Sequence, residues 1–139
     1  MTHPDPEHLS LLFVDHLAAG SSLAVGYGEA PEAASPAYPY LVVEPQGPFS
    51  IEGDLANPNI TQNIEWEVAS VGLTAQQAEG GLADARDALL GTFIDFTAAA
   101  YAQTGGIKLE PGDPVENQRD AEPALFIARD LFRVPVSSV

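Results

Sequence analysis

Between Asn63 and Val68 the chain alternates without a break: Ile64, Trp66 and Val68 face one way, Asn63, Glu65 and Glu67 the other. A period of two is the mark of a strand with one face on a core and the other turned outward. The last stretch, Leu125 to Val136, does the same over a greater length, setting Phe126, Ala128, Phe132 and Val134 against Leu125, Arg129 and Arg133. Strands of this kind need a covering layer for their apolar side, and the neighbouring segments have to supply it.

Two segments carry the helical period instead. Asp5 followed by Pro6 reads as an N-cap with proline at the first helical position, and Leu9, Leu12, Phe13 and Leu17 then share one side until Gly20 stops the helix near Ala19. Thr74 and Gln77 form a capping box ahead of a narrow apolar stripe of Ala75, Ala78, Leu82, Ala85 and Leu89. Phe93, Phe96 and Ala100 keep that phase past Gly91. This second helix therefore either runs on to about Ala102, accepting a glycine cost of roughly 1 kcal/mol, or breaks at Gly91.

The remaining elements are shorter. Residues 20–38, rich in Gly, Ser, Ala, Glu and Pro, predict an exposed loop with a short strand at Leu23 to Gly26. Tyr38 to Glu44 predicts a strand entered through a proline and ended by Gly47 and Pro48, with another short strand near Phe49 to Ile51 and a turn at Asn57 to Asn59. Thr104 to Gly106 predicts a turn, Ile107 to Leu109 a strand, and Pro111 to Glu122 a polar loop. Pro135 demands an edge position or a bulge, because it cannot donate to a ladder. The sum is an α/β (α+β) fold: a mixed, mainly antiparallel sheet with two helices packed on one face, in a single domain spanning residues 1–139.

Charge narrows the function classes. The net charge is −15, and all five Lys and Arg (Arg86, Lys108, Arg119, Arg129 and Arg133) lie after position 85. Proteins that grip DNA or RNA neutralise phosphates with clustered cations, so such a role is excluded here, and anionic membranes are disfavoured likewise. An acidic surface keeps copies soluble, or lines a passage through which a polyanion slides without sticking. His3, Asp5 and Glu7 stand where a secretory signal would need positive charge, and no apolar run approaches the roughly 20 residues that span a bilayer, so the expectation is a soluble, unexported product.

Catalytic chemistry finds little to use. With no cysteine there is neither a thiolate nucleophile nor a cysteine-held metal. His8 and His16 are two helical turns apart, not at the i, i+4 spacing of a metal pair, and His16 reads as a core or subunit-interface residue. Asp84 and Asp87 share a helical side, as an ordinary solvated face does. Glycines at Gly26, Gly28, Gly105 and Gly106 lack the spacing and the lysine of a phosphate loop, and no serine sits in a nucleophile elbow. The expectation is no enzyme, no cofactor and no metal. Arg129, Asp130 and Arg133, three charges in a strand otherwise built of large apolar residues, read as an ion-paired contact along a sheet face or between subunits, or as simple exposure. Glu65 and Glu67 form a candidate acidic strip, exposed or facing a lumen.

The first helix, the segment Tyr38-Pro39-Tyr40-Leu41-Val42-Val43, the run from Trp66 to Thr74 leading into an alanine-rich helix, and the closing Phe126-Ile127-Ala128-Arg129 and Phe132-Arg133-Val134-Pro135-Val136 together cover most of the chain. In that order they resemble the tail-terminator (minor tail protein U-like) proteins of long, non-contractile-tailed bacteriophages. The resemblance implies a small α/β subunit that forms a homohexameric ring at the head-proximal end of the tail tube. Such a ring stops tube polymerisation and joins the tail to the head-completion, or stopper, protein, with assembly in the host cytoplasm and a place in the virion. DNA would pass through it without specific binding. Arg129, Asp130 and Arg133 are then the candidates for inter-subunit contacts. Competing readings are another head-tail neck component, such as a stopper or connector, and a monomeric acidic protein-binding module.

Overall fold

The computed structural model describes residues 6–31, 37–52, 61–120 and 122–139. Two long strands form its spine. β3 (Thr61–Gly72) and β7 (Leu125–Ser138) pair antiparallel along their whole length, from Thr61 opposite Ser137 to Gly72 opposite Phe126. They are the two segments of alternating sequence, and their apolar residues coincide in register, Ile64 with Val134 and Trp66 with Phe132. β2 (Tyr40–Glu52) lies antiparallel on the free flank of β3, and β1 (Val25–Tyr27) lies parallel on β2. Three short strands share the other flank of β7: β6 (Glu116–Gln118), β5 (Lys108–Pro111) and β4 (Tyr101–Gln103), all antiparallel to it. The sheet is thus mixed and mainly antiparallel, as its sequence predicts.

Both helices cover one face. α1 (Pro6–Gly20) begins at the proline the sequence picks out, while Asp5, its expected cap, lies outside the described residues. It sinks Leu9, Phe13 and Leu17 completely. The Phe13 ring stacks on Trp66 with centroids 4.4 Å apart, and Phe96 approaches Trp66 at 6.2 Å. Stacked aromatics of this kind add about 0.5–1.5 kcal/mol beyond the area they bury. The indole N–H of Trp66 donates to the buried Ser10 hydroxyl at 2.8 Å, so the one polar atom of the core's largest side chain is satisfied by the helix above it.

α2 (Ala75–Leu89) starts at Thr74, whose hydroxyl accepts from the Gln77 N–H at 3.1 Å. The Gln77 side chain reaches back to the N–H of Leu73, one residue before the position a reciprocal capping box would use. The helix sits close to the sheet because Gly81 lies over Ser70: a methyl group placed on Gly81 would meet the Ser70 hydroxyl at 2.0 Å.

Three expectations change, and the open choice for the second helix falls to the break at Gly91. α2 ends at Leu89, Gly91 takes a left-handed φ of 77° that glycine adopts freely, and the segment toward Ala102 becomes a turn of 3-10 helix (Thr97–Ala99) followed by β4. Phe96 still reaches the core, at 1% exposure, while Phe93, in phase with it on an extended helix, is 64% exposed. β2 does not stop at Gly47 and Pro48; pairing with β3 resumes at Ser50 after an irregularity beyond Gln46, so the two predicted strands are one bulged strand. The polar loop after Pro111 contains β6, whose side chains are all exposed and therefore leave no apolar signal. Pro135 is neither at an edge nor in a bulge of the β3 pairing; it stands opposite Asn63. Its carbonyl accepts from the Thr104 N–H on the other flank, where β4 pairing ends at Val136 and β5 pairing begins at Arg133, so the missing N–H falls in a gap between two short strands. The turn expected at Asn57 to Asn59 lies outside the described residues.

Candidate functional site: the open face of the sheet

With both helices on one side, the other side of β2, β3 and β7 is uncovered by any helix among the described residues. Because a strand alternates, every second residue of those strands faces that open side. Toward the β1 end it carries an apolar cluster in which Tyr40, Val42 and Val71 are buried, with Tyr38, Ala69, Leu125 and Ile127 packed on them. Tyr38 and Tyr40 hold their ring centroids 5.5 Å apart.

Alongside lies a charged lattice. Arg133 donates to Glu65 through Nε at 2.9 Å and Nη2 at 2.6 Å, across the β3–β7 ladder where the two residues are directly paired. Arg129 reaches Glu67 at 3.4 Å and donates to Glu116 of β6 at 2.7 Å. Burial raises the Glu67 pKa first; Arg129 opposes the rise, and Glu44 and Asp113 add to it. The predicted acidic strip is therefore a set of cross-strand ion pairs, with Glu65 and Glu67 each matched to an arginine.

Asp130 faces the opposite way. It is 1% exposed beneath α2, where Arg86 grips both its oxygens, Nε to Oδ2 at 2.7 Å and Nη2 to Oδ1 at 2.9 Å. That contact holds the guanidinium charged more firmly than usual. Strand alternation therefore splits the trio: Arg129 and Arg133 lie on the open face, Asp130 under a helix. Arg86, which in the sequence reads as one more basic residue, is the cation that permits a carboxylate inside the fold. The signal that points to it is an acid at a core-facing position of β7 with an arginine on the stripe side of α2.

The histidine resolves as a junction between elements. His16 Nε2 lies 2.9 Å from the Thr92 hydroxyl, which itself donates to the Leu89 carbonyl at 2.7 Å, so the imidazole is the donor. Burial lowers the His16 pKa. Gln103 completes the junction from β4, accepting from the Ile94 N–H at 2.8 Å and donating to the Gly105 carbonyl at 2.8 Å. Asp84, which the sequence pairs with Asp87, accepts instead from the Ser21 hydroxyl at 2.7 Å and ties the end of α1 to α2. No three His, Asp or Glu side chains among the described residues gather as metal ligands would. Among the same residues, no helix is long and apolar enough to cross a membrane.

Neither a protein-family model nor a curated protein matches this sequence. The fold, however, is similar to that of a solved chain from the virion of a native gene transfer agent particle. The two superpose with a TM-score of 0.53 over 88% of this chain and 84% of that one, at 19% sequence identity. At that identity the likeness is one of fold.

Proposed function

We propose that this chain is a structural virion protein of a tailed-phage-like particle, a tail terminator that closes into a homohexameric ring at the head-proximal end of the tail tube. The observation that carries the reading is the fold shared over most of both chains with a component of a gene transfer agent virion, taken together with the ordered sequence resemblance to tail terminators. The electrostatics agree with it. A net charge of −15 suits a ring through which DNA passes without being held.

On this reading the protein performs no catalysis. It acts by pairing surfaces: one side of the ring matches the last ring of the tube, and the other presents a surface the tube protein cannot extend, to which the head-completion protein docks. The open sheet face, with its arginines and tyrosines, has the composition of a protein-contacting surface.

Purified protein mixed with polymerising tail-tube protein tests this by negative-stain microscopy. The expected result is tubes of limited length bearing one extra ring at a single end. Tubes that grow uncapped to their usual lengths, with this chain left free in solution, overturn the reading.

A further inference from the structure

Charges on the open face are ordered across the sheet. In one cross-strand row Gln46, Glu65, Arg133 and Lys108 stand side by side on β2, β3, β7 and β5. In the next row stand Glu44, Glu67, Leu131 and Glu110. At the β5 side, then, Lys108 is directly opposite a second cation, Arg133, whose guanidinium is already taken by Glu65. At the β2 side, Glu44 is directly opposite a second acid, Glu67. Like charges facing each other across a strand pair destabilise it, and here the two sides of one face hold such pairs of opposite sign.

Both lone members are accessible. Glu44 and Lys108 are exposed, and neither forms an ion pair among the described residues. β1 covers β2 only from Leu41 to Val43, so the flank of β2 at Glu44 carries no strand among those residues. Lys108, Leu109, Glu110, Leu131 and Arg133 line a recess of about 370 Å³.

We propose that copies of this chain join head to tail across the open face, with Lys108 of one copy seated against Glu44 and Glu67 of the next. Arg133 and Glu67 already have partners in Glu65 and Arg129, and Lys108 and Glu44, the members without an ion pair among the described residues, then gain the opposite charge they lack. The contact uses two unlike patches at opposite flanks of one sheet face, the arrangement that generates a ring when the rotation per copy closes. The two helices offer no comparable charge pairing. Their exposed residues include Glu7, Asp15, Glu79 and Asp87, and the cation of that layer, Arg86, is spent on Asp130. This seam rests on the ring reading under Proposed function and gives the ring its subunit contact.

Lys108→Glu and Glu44→Lys test it, each alone, mixed in equal amounts, and combined in one chain, with molecular mass read by light scattering after size exclusion. Both positions are exposed, and unchanged thermal melting confirms that the variants fold. The expected result is a multi-subunit parent, two single variants that remain monomers at concentrations where the parent assembles, and recovery of the oligomer both in the mixture and in the double variant. Recovery on mixing shows that position 108 meets position 44 of a neighbouring copy, since the variants can alternate so that every contact joins unlike charges. A recovered mass above that of a dimer separates a head-to-tail ring from a two-fold pair, and a two-fold pair would overturn the seam. An oligomer indifferent to both single reversals, or a mixture that stays monomeric, overturns the seam and leaves the ring standing. A parent that is a monomer at every concentration, with and without tube protein, overturns both.

Discussion

The two faces of one sheet treat charge in opposite ways. Beneath the helices, Asp130 is sealed from water and held by two hydrogen bonds from Arg86; on the open side, Arg133 grips Glu65 with the same guanidinium fork while both stay in contact with solvent. The bonds are of nearly equal length, yet they differ in worth. A buried carboxylate left without its partner costs several kcal/mol, whereas an exposed pair exchanges one hydrated state for another and contributes about 0–1 kcal/mol. Geometry alone therefore says little about the energy of an ion pair, and dielectric surroundings decide it. The covered face uses its pair to hold a helix against the sheet, and the open face leaves its charges in contact with solvent.

Substitutions break or sharpen this contrast in a definite order. The largest effect belongs to Arg86→Ala, which strands Asp130 under α2; it is expected to cost about 3 kcal/mol in urea unfolding, the low end of the range because the guanidinium is 40% exposed. Replacing both partners, Arg86→Met with Asp130→Leu, is expected to recover most of that loss. A double variant as unstable as the single one would show that the pair does more than neutralise itself.

Next comes the close approach of α2. Gly81→Ala drives a methyl into Ser70 and is expected to cost about 1–3 kcal/mol, while Gly80→Ala, one residue away in open space, is expected to stabilise by about 0.5–1 kcal/mol. Equal effects at the two glycines would mean that the helix does not lie against Ser70. On the open face, Arg133→Ala is expected to change stability by less than about 1 kcal/mol, with the change shrinking further in high salt. A loss as large as that of Arg86→Ala would erase the difference between the faces.

The smallest effect is one of pH. Glu67 has its pKa raised, so the folded state holds that proton more tightly than the unfolded chain does. Its contribution therefore favours folding as pH falls from neutral through the raised value, and is lost as pH rises again. Glu67→Gln is expected to remove that gain, so that the variant loses stability relative to the parent as pH is lowered through that window. A variant whose relative stability rises on acidification would reverse the assigned direction.

Much of the fold is legible in the amino-acid order alone. Alternation places β3 and β7 and names the residues on their two faces, and the helical period places α1 and α2 with a proline start and a threonine cap. Illegible parts have a common cause. β6 has no buried side chain, so only its partner makes it a strand; Pro135 is tolerated mid-sheet only because two other strands leave a gap beside it. The phase of Phe93 and Phe96 fits a longer helix as well as a turn, and the left-handed backbone at Gly91 settles it.

By itself, then, the sequence determined which residues look inward, because periodicity is a property of neighbours along the chain and survives without knowledge of the fold. It determined the acidity too, and the placing of all five cations after position 85. Only the tertiary structure decided which charges meet. Arg86 and Asp130 are 44 residues apart, Glu65 and Arg133 are 68 apart, and pairings over such separations are fixed by strand register and helix docking, which no local pattern records.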